Sequence, residues 1–588
     1  MKKLSFLMIT AAVLFSGCEL ERLPYTGYVE DTIKGDPEAA FDMLLNGSYG
    51  QMKAWADEMH RVGEYPGDHI MIRGNSTDAF YDFLSYNHRA ANGRLNTFWV
   101  NSYRIISQTS EVVKVFDTPP SADVAHQIGE AYYLRGLMYF YLGRVWGRPY
   151  YQSPETNLGV PIINGKPEDI LANDITLPDR STVKQTYAQA ISDLRRAESL
   201  MTLNKKNIFA TKEAAQAILS RVYLYMSGTY ETPNTMYADS AIYYANQVIA
   251  SGRYSLLSRA NFMRYNEFAP ENNSETIFAV KRVDSEYSGY DYYYNIGGMY
   301  AYIGGMGWGE MYASAKYIDR LRDSGSGNPA NDARWNFIKP QYALTAGART
   351  PSFRFVSGVY DAQGKQTAYV YIQQPLKQET DGSHYVEITT GTAPNQITAK
   401  YPLTPVDPDN NRYSIAFKPT NAPESATYIG DMDYMMSVNQ GHPMFYVYKC
   451  SLQDGASQLH SPIISRLAEM YLNLAEAYSK KGDYANAQIN LNMIRNRAVV
   501  NGGYPDGYLT SANAGDIIDN ERAMELAFEA HRSFDVYRLG KTMSRRYPAP
   551  ANWNVMQDIT PTDTRVVQQI PQTVIDAYFG TITQKPRQ

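Results

Sequence analysis

The residues with the clearest chemistry are aromatic. From Tyr287 to Trp308 the chain reads YSGYDYYYNIGGMYAYIGGMGW, eight Tyr or Trp side chains interleaved with Gly and Asn. The run has no helical period and reads as a Gly-rich loop. A Tyr or Trp ring offers its face to the apolar face of a sugar ring, while Asn, Asp and Arg nearby meet the hydroxyls. Trp308, Tyr302, Tyr300 and Tyr293 are the candidates for such a platform. The same rings could instead pack two lobes of the fold together. A second candidate is the turn-rich loop from Tyr65 to Tyr81, which carries Asp68, Arg73, Asn75 and Tyr81. It could equally be a solvated connection.

Other chemistries find little support. The eight His are scattered without a His-x-x-x-His pair, and the two Cys are far apart, so no zinc site is expected. Asp407-Pro-Asp409-Asn-Asn411 imitates the start of a calcium loop, but Arg412 stands at the sixth position and Lys418 at the twelfth, where Gly and Glu are needed. Gly304-Gly-Met-Gly307-Trp308-Gly309 lacks the Gly-Lys-Ser/Thr of a phosphate loop. No Gly-x-Ser-x-Gly elbow is present. Carboxylates are abundant, yet nothing singles out a catalytic pair, so no catalytic residue and no cofactor is expected. With 55 Lys and Arg against 60 Asp and Glu, and no basic run, nucleic acid is not an expected partner.

The first segment is an address. Lys2 and Lys3 precede an apolar run from Leu4 to Phe15, too short to span a bilayer as a permanent helix, so residues 1–17 read as a signal peptide. Leu14-Phe15-Ser-Gly-Cys18 resembles the lipobox of bacterial lipoproteins, which makes Cys18 the expected lipidation site and the membrane anchor. Cys450 is then a lone thiol, and the fold must hold by packing rather than disulfides.

These residues need a scaffold, and 588 residues with 44% apolar content are enough for a large one. Residues 18–36 read as a tether. From 37 to 264 apolar residues recur at three and four, as in QIGEAYYLRGLMYFYLGRVW, which predicts helices. Tyr471, Leu474, Ala475, Tyr478, Gly482, Tyr484, Ala487, Leu491 and Ile494 fall at the spacing of a tetratricopeptide repeat. Similar pairings are expected of Gly136 and Tyr139 with Ala190, Leu194 and Ala197, and of Ser220 and Tyr223 with Ala241, Ala245 and Val248. A fourth pair joins Leu44–Trp55 with Phe98–Val113. Residues 265–460 change character to short strands at 275–281, 353–356, 369–372 and 385–388 and long loops. Helices return in 461–588. The expected fold is mainly α, a tetratricopeptide-like scaffold of about four helix pairs with a loop-rich, partly β second lobe inserted before the last pair.

In order along the chain, the lipobox, Trp99-Val-Asn-Ser-Tyr103, Tyr133-Leu-Arg135-Gly-Leu-Met-Tyr139, Asn331-Asp332-Ala-Arg334, Ile464-Ser-Arg466-Leu-Ala-Glu469, Leu491-Asn-Met-Ile-Arg495, Glu521-Arg522-Ala-Met-Glu525 and Glu529-Ala-His-Arg532-Ser-Phe-Asp535 resemble the SusD/RagB family of outer-membrane nutrient-binding lipoproteins of the Bacteroidota. The resemblance covers nearly the whole chain. It implies a protein at the cell surface, anchored by lipid in the outer membrane, that captures a nutrient, usually an oligosaccharide, for a SusC-like TonB-dependent transporter. The family has no common binding motif, so no site residue carries over.

Glu476, Arg495, Glu521, Arg522, Glu529, Arg532 and Asp535 sit on otherwise apolar helices. A half-buried charge persists there only if paired, so they are expected to form a structural ion-pair network. The function expected is thus non-catalytic glycan binding. Two alternatives stay open: a peptide- or protein-binding scaffold that uses the groove of the helical repeats, and a glycan hydrolase.

Overall fold

The computed structural model describes residues 35–72, 78–163, 176–391, 393–439, 442–545 and 558–585. Six long helices come first. They are α1 (Pro37–Glu64), α2 (Gly93–Lys114), α3 (Ala122–Trp146), α4 (Val183–Leu200), α5 (Lys212–Met226) and α6 (Thr235–Ala250). Each starts on a short polar residue whose side chain accepts from the first turn. Asp36 does so for α1, Asn92 for α2, Ser121 for α3, Thr182 for α4, Thr211 for α5 and Asn234 for α6. Such caps satisfy amide groups that the helix itself leaves orphaned.

The helices pair as antiparallel neighbours, α1 with α2, α3 with α4 and α5 with α6, and each pair packs on the next. The contacts are those the repeat spacing implies. Gly136 brings α3 so close to α4 that a Cβ there would lie 3.0 Å from the Ala190 carbonyl and from Leu194. The Ser220 hydroxyl donates to the Ala241 carbonyl at 3.0 Å, and Tyr223 stacks on Tyr244. Trp55 of α1 stacks on Phe98 of α2 at 5.7 Å.

After α6 the chain leaves the scaffold for some two hundred residues. The three-residue strand β1 (Ile70–Ile72) follows α1, and within the excursion lie β2 (Thr276–Ala279), β3 (Met311–Ala313), α7 (Ala315–Ser324), β4 (Ile338–Pro340), β5 (Pro351–Tyr360) and β6 (Gln366–Pro375). They continue with β7 (Lys377–Gln378), β8 (His384–Thr390), β9 (Ile397–Pro402), β10 (Thr404–Asp407), β11 (Arg412–Phe417), β12 (Ala426–Tyr434) and β13 (Phe445–Val447). A five-stranded antiparallel sheet, ordered β10-β11-β12-β5-β6, faces the three-stranded sheet β9-β8-β7. Phe353, Phe355, Val386, Ile388, Ile415 and Phe417 form a separate core between them. The predicted strands are present, and β5 and β6 extend to ten residues because they pair as one long hairpin. The calcium-like segment is the turn between β10 and β11, where the Asp407 carboxylate accepts from Asn410 at 2.8 Å.

A four-stranded sheet, β1-β3-β13-β4, ties this lobe to the end of α1, and β2 pairs with β14 (Ile463–Arg466). The scaffold then resumes with α8 (Leu467–Lys480) and α9 (Tyr484–Ala498), followed by α10 (Ala514–Glu525) and α11 (Arg532–Arg538). Helix α8 packs directly on α6, so the fourth pair completes the stack despite the insertion. Repeat scaffolds tolerate this because each unit needs only its neighbours.

Candidate functional site

The aromatic segment lies between β2 and β3, where it runs across the side of α1. It is partly helical. Asp291–Tyr294 and Ile296–Tyr300 each form a short helix, with Asn295 between them capping the second through the Gly298 amide at 2.7 Å. The two turns meet so closely that a Cβ on Gly298 would lie 2.2 Å from the Tyr292 carbonyl. The chain then reverses through Gly304-Gly305, both at positive φ, with Ile303 and Met306 exchanging backbone bonds across the turn.

This backbone positions Trp308. Its amide donates to the Gly298 carbonyl at 2.7 Å, and the Gly309 amide donates to the same oxygen at 3.0 Å. The side chain is thereby held out from the surface, 41% exposed. Tyr293 lies 5.4 Å from it and Tyr294 6.3 Å, centroid to centroid, and Tyr290 touches both tyrosines at 6.1 and 6.2 Å. Tyr290 is 70% exposed and Tyr294 46%. Trp308, Tyr290 and Tyr294 remain open, and Tyr293 is half-buried in contact with both Tyr290 and Trp308, so the four rings form a largely exposed aromatic patch. Tyr302 is 53% exposed, on the far side of the glycine turn beside Tyr446.

The candidates separate in space. Trp308 and Tyr293 belong to the patch and Tyr302 flanks it. Tyr300 is fully buried: its hydroxyl meets His60 Nε2 at 2.7 Å and its ring packs edge-on against His60, Tyr65 and Phe528. It is a core residue, because all five residues of its short helix face inward. Asp68 is also buried, not open to a ligand. Burial alone would raise its pKa, but Arg320 (3.0 Å), Arg532 (2.8 Å) and Lys316 (2.8 Å) outweigh that and hold it well below the ordinary range. Tyr81 is half-buried against the main core. Arg73, Asn75 and Cys18 lie outside the described residues. Tyr290 and Tyr294 were missed as individual candidates. Their signal was the three- and four-residue spacing from Tyr290 to Tyr293 and Tyr294, one turn of helix.

The seven charged helix residues all lie in buried ion pairs. Glu476 holds Arg538 and, at 2.8 Å, Lys480; Arg495 holds Glu521 at 2.8 Å; and Arg522 holds Asp535 at 2.9 Å. Arg532 bridges Asp68 and Asp519, and Glu529 takes Arg466 and Lys449. Sequence reasoning missed the hub of this network. Arg466 on β14 also reaches Glu525 at 2.7 Å and Glu275 at 3.1 Å, and Arg497 binds the same two carboxylates. For Lys480 burial dominates over Glu476 and pulls the amine down to about 8.

Fold and surface together define a class: a helical-repeat protein with an inserted β lobe and an exposed aromatic patch where the two meet. A model of the SusD family matches residues 274–586, more than half of the sequence, and the chain belongs to that family. A second model, described as starch-binding associating with outer membrane, matches residues 28–224. A SusD-like protein of Bacteroides ovatus is 24% identical over 300 residues, 48% of this chain and 50% of that protein, so the chain spans about half the length of that relative. Among solved structures, a SusD superfamily protein from Bacteroides thetaiotaomicron is similar with a TM-score of 0.67 at 23% identity, covering 94% of this chain and 100% of the other. A SusD-like carbohydrate binding protein from Bacteroides vulgatus has a TM-score of 0.59 at 16% identity, covering 92% and 96%. At these identities the likeness is one of fold.

Proposed function

We propose that this protein is a glycan-binding lipoprotein of the outer membrane. It takes up an oligosaccharide on the patch of Trp308, Tyr293, Tyr294 and Tyr290, with Tyr302 as a flanking contact, and passes it uncleaved to a SusC-like TonB-dependent transporter. The observation that carries the reading is a cycle of four neighbouring rings, three of them exposed and Tyr293 half-buried, on a backbone built to display them. Membership of the SusD family and the starch-binding description of the second matching model support it. The lipobox-like sequence ending at Cys18 supports the anchor and the cell-surface location. The non-catalytic part is supported by the buried carboxylates on the C-terminal helices, which are committed to arginines and lysines.

Calorimetric titration of the mature protein with malto-oligosaccharides and plant-derived oligosaccharides tests binding, and an assay for released reducing ends tests cleavage. Binding without release supports the proposal. Binding of peptides with no glycan signal would replace it with the peptide-binding scaffold. Radiolabelled palmitate incorporation that is lost in Cys18→Ala tests the anchor, and co-purification of a TonB-dependent transporter tests the partner.

A further inference from the structure

Next to the aromatic patch, and sharing Tyr294 with it, is a cavity of about 290 Å³ whose floor is α1. Lys53, Asp57 and Arg61 stand one helical turn apart on that floor, with Ala54 and Glu58 beside them. Arg94 and Thr97 of α2 form one wall, and the segment from Arg282 to Asn295 forms the other.

The cavity is charged but balanced. Lys53 pairs with Glu286, Arg282 with Asp57 at 3.0 Å, Arg61 with Glu58 at 2.9 Å, and Arg94 with both Asp78 and Glu58 at 2.8 and 3.2 Å. Asp291 adds one more carboxylate, which accepts from the Ser288 amide. Among the described residues every cation of the lining is paired, so none is left to attract an anionic ligand, and the four basic side chains of the lining are matched by four acidic ones.

Pairing nevertheless leaves hydrogen-bonding atoms over. Glu58 is buried and receives both its arginines on Oε1, so that Oε2 meets no donor among the described residues. Arg61 Nε, Arg282 Nε and Asn295 Nδ2 are equally buried and meet no acceptor among them. Folded proteins leave few such atoms, and these four, closed off from solvent, all belong to residues that line one cavity, so a partner from outside the chain that reaches past the surface layer would satisfy them. The partner must accept from N–H groups and donate to a carboxylate within a small volume. Vicinal hydroxyls do both, since each is at once donor and acceptor. The volume lies at the lower end of small-molecule sites, which suits a single ring rather than a chain.

We propose that this cavity is a subsite for one uncharged sugar residue, a branch or chain end of a glycan whose neighbouring residues stack on Tyr294 and Trp308. The inference rests on the glycan reading of the patch and adds the class of ligand: a neutral sugar, not a uronate or a sulfated one.

Ala54 is exposed at the rim and takes part in none of the ion pairs, so Ala54→Trp fills the cavity while leaving the network intact. Wild type, Ala54→Trp and Trp308→Ala are titrated with galactomannan- and xyloglucan-derived oligosaccharides and with pectin-derived oligouronates, and each variant's melting temperature is checked. The expected result is binding of a neutral oligosaccharide, weakened about ten-fold or more by Ala54→Trp through loss of several hydrogen bonds, at unchanged melting temperature. If Trp308→Ala weakens binding and Ala54→Trp does not, the subsite is overturned and the patch stands. If Ala54→Trp weakens binding and Trp308→Ala does not, the subsite stands and the patch falls. Preference for oligouronates overturns the neutral class, and absence of binding to every glycan overturns both readings.

Discussion

The ring of Tyr293 lies 5.4 Å from the indole of Trp308 with their planes 60° apart, and the backbone of Trp308 is bonded to Gly298 on the helix that directly follows Tyr293. The two rings thus belong to one rigid unit, although fifteen residues separate them. A ligand that stacks on one meets the other already in place, which lowers the ordering cost of binding.

Truncating that unit has a measurable consequence. Trp308→Ala should weaken glycan binding by roughly five- to a hundred-fold, equivalent to about 1–3 kcal/mol for a lost stacking surface. Tyr300→Phe should leave affinity unchanged, because Tyr300 is buried against His60. Calorimetry on the two variants checks both expectations.

Gly307 offers a way to disturb the site without removing a ring. It sits at φ +96°, and a Cβ there would lie 2.1 Å from the Ala301 carbonyl. Gly307→Ala should displace Trp308 and cost about 1–3 kcal/mol of local strain. Affinity should approach that of Trp308→Ala while the thermal transition of the whole protein shifts by only a few degrees.

The buried network predicts an asymmetry between charges. Arg466→Leu removes the side chain that joins Glu275, Glu525 and Glu529, leaving Arg497 to share Glu275 and Glu525 and Lys449 to hold Glu529, and should cost about 3–5 kcal/mol. Lys377→Ala removes an exposed, solvent-screened pair with Glu387 and should leave stability nearly unchanged. Denaturant unfolding of both variants beside wild type compares the two costs.

Stability should fall in acid. Burial pushes the carboxyls of Asp68, Glu476, Asp519, Glu525, Glu529 and Asp535 upward, but the basic groups around them outweigh it and hold all six below their ordinary values. In the unfolded chain these groups take up protons first, so stability is complete above the ordinary carboxylate range and is lost as pH drops through it. Melting temperatures should therefore be level from pH 7 to about 5 and fall below about 4.5. A melting temperature that holds steady down to pH 3 would contradict the network.

The close fit of α3 to α4 gives a last test. Gly136→Val forces a branched side chain against Ala190 and Leu194 and should destabilise by about 1–3 kcal/mol. The change is read as a lowered denaturation midpoint with glycan affinity retained.

Much of the scaffold was legible because its information is local. The nine repeat positions between Tyr471 and Ile494 map onto α8, a turn and α9, since small and large residues at helical spacing can interlock in only a few ways. The strands of the insert were legible too, from alternation and β-branching. Their assembly into two facing sheets with a core of their own was not, because pairing partners such as Phe353 and Met432 are far apart in sequence.

The site divides along the same line. The sequence by itself determined that 50 tyrosines outnumber 20 phenylalanines, that one group stands at repeat positions and another precedes Trp308 in a Gly-rich stretch, and that charges such as Glu476 and Arg522 on apolar helices need partners. Only the tertiary structure decided which of those tyrosines face out. Tyr300 and Tyr302 are two residues apart, yet one is buried against His60 and the other is exposed beyond the end of a short helix. It also decided where Asp68 spends its charge, on Arg320 and Arg532 from distant parts of the chain. Composition and spacing set what each side chain can do, whereas burial and the choice of partner depend on which segments the fold brings together.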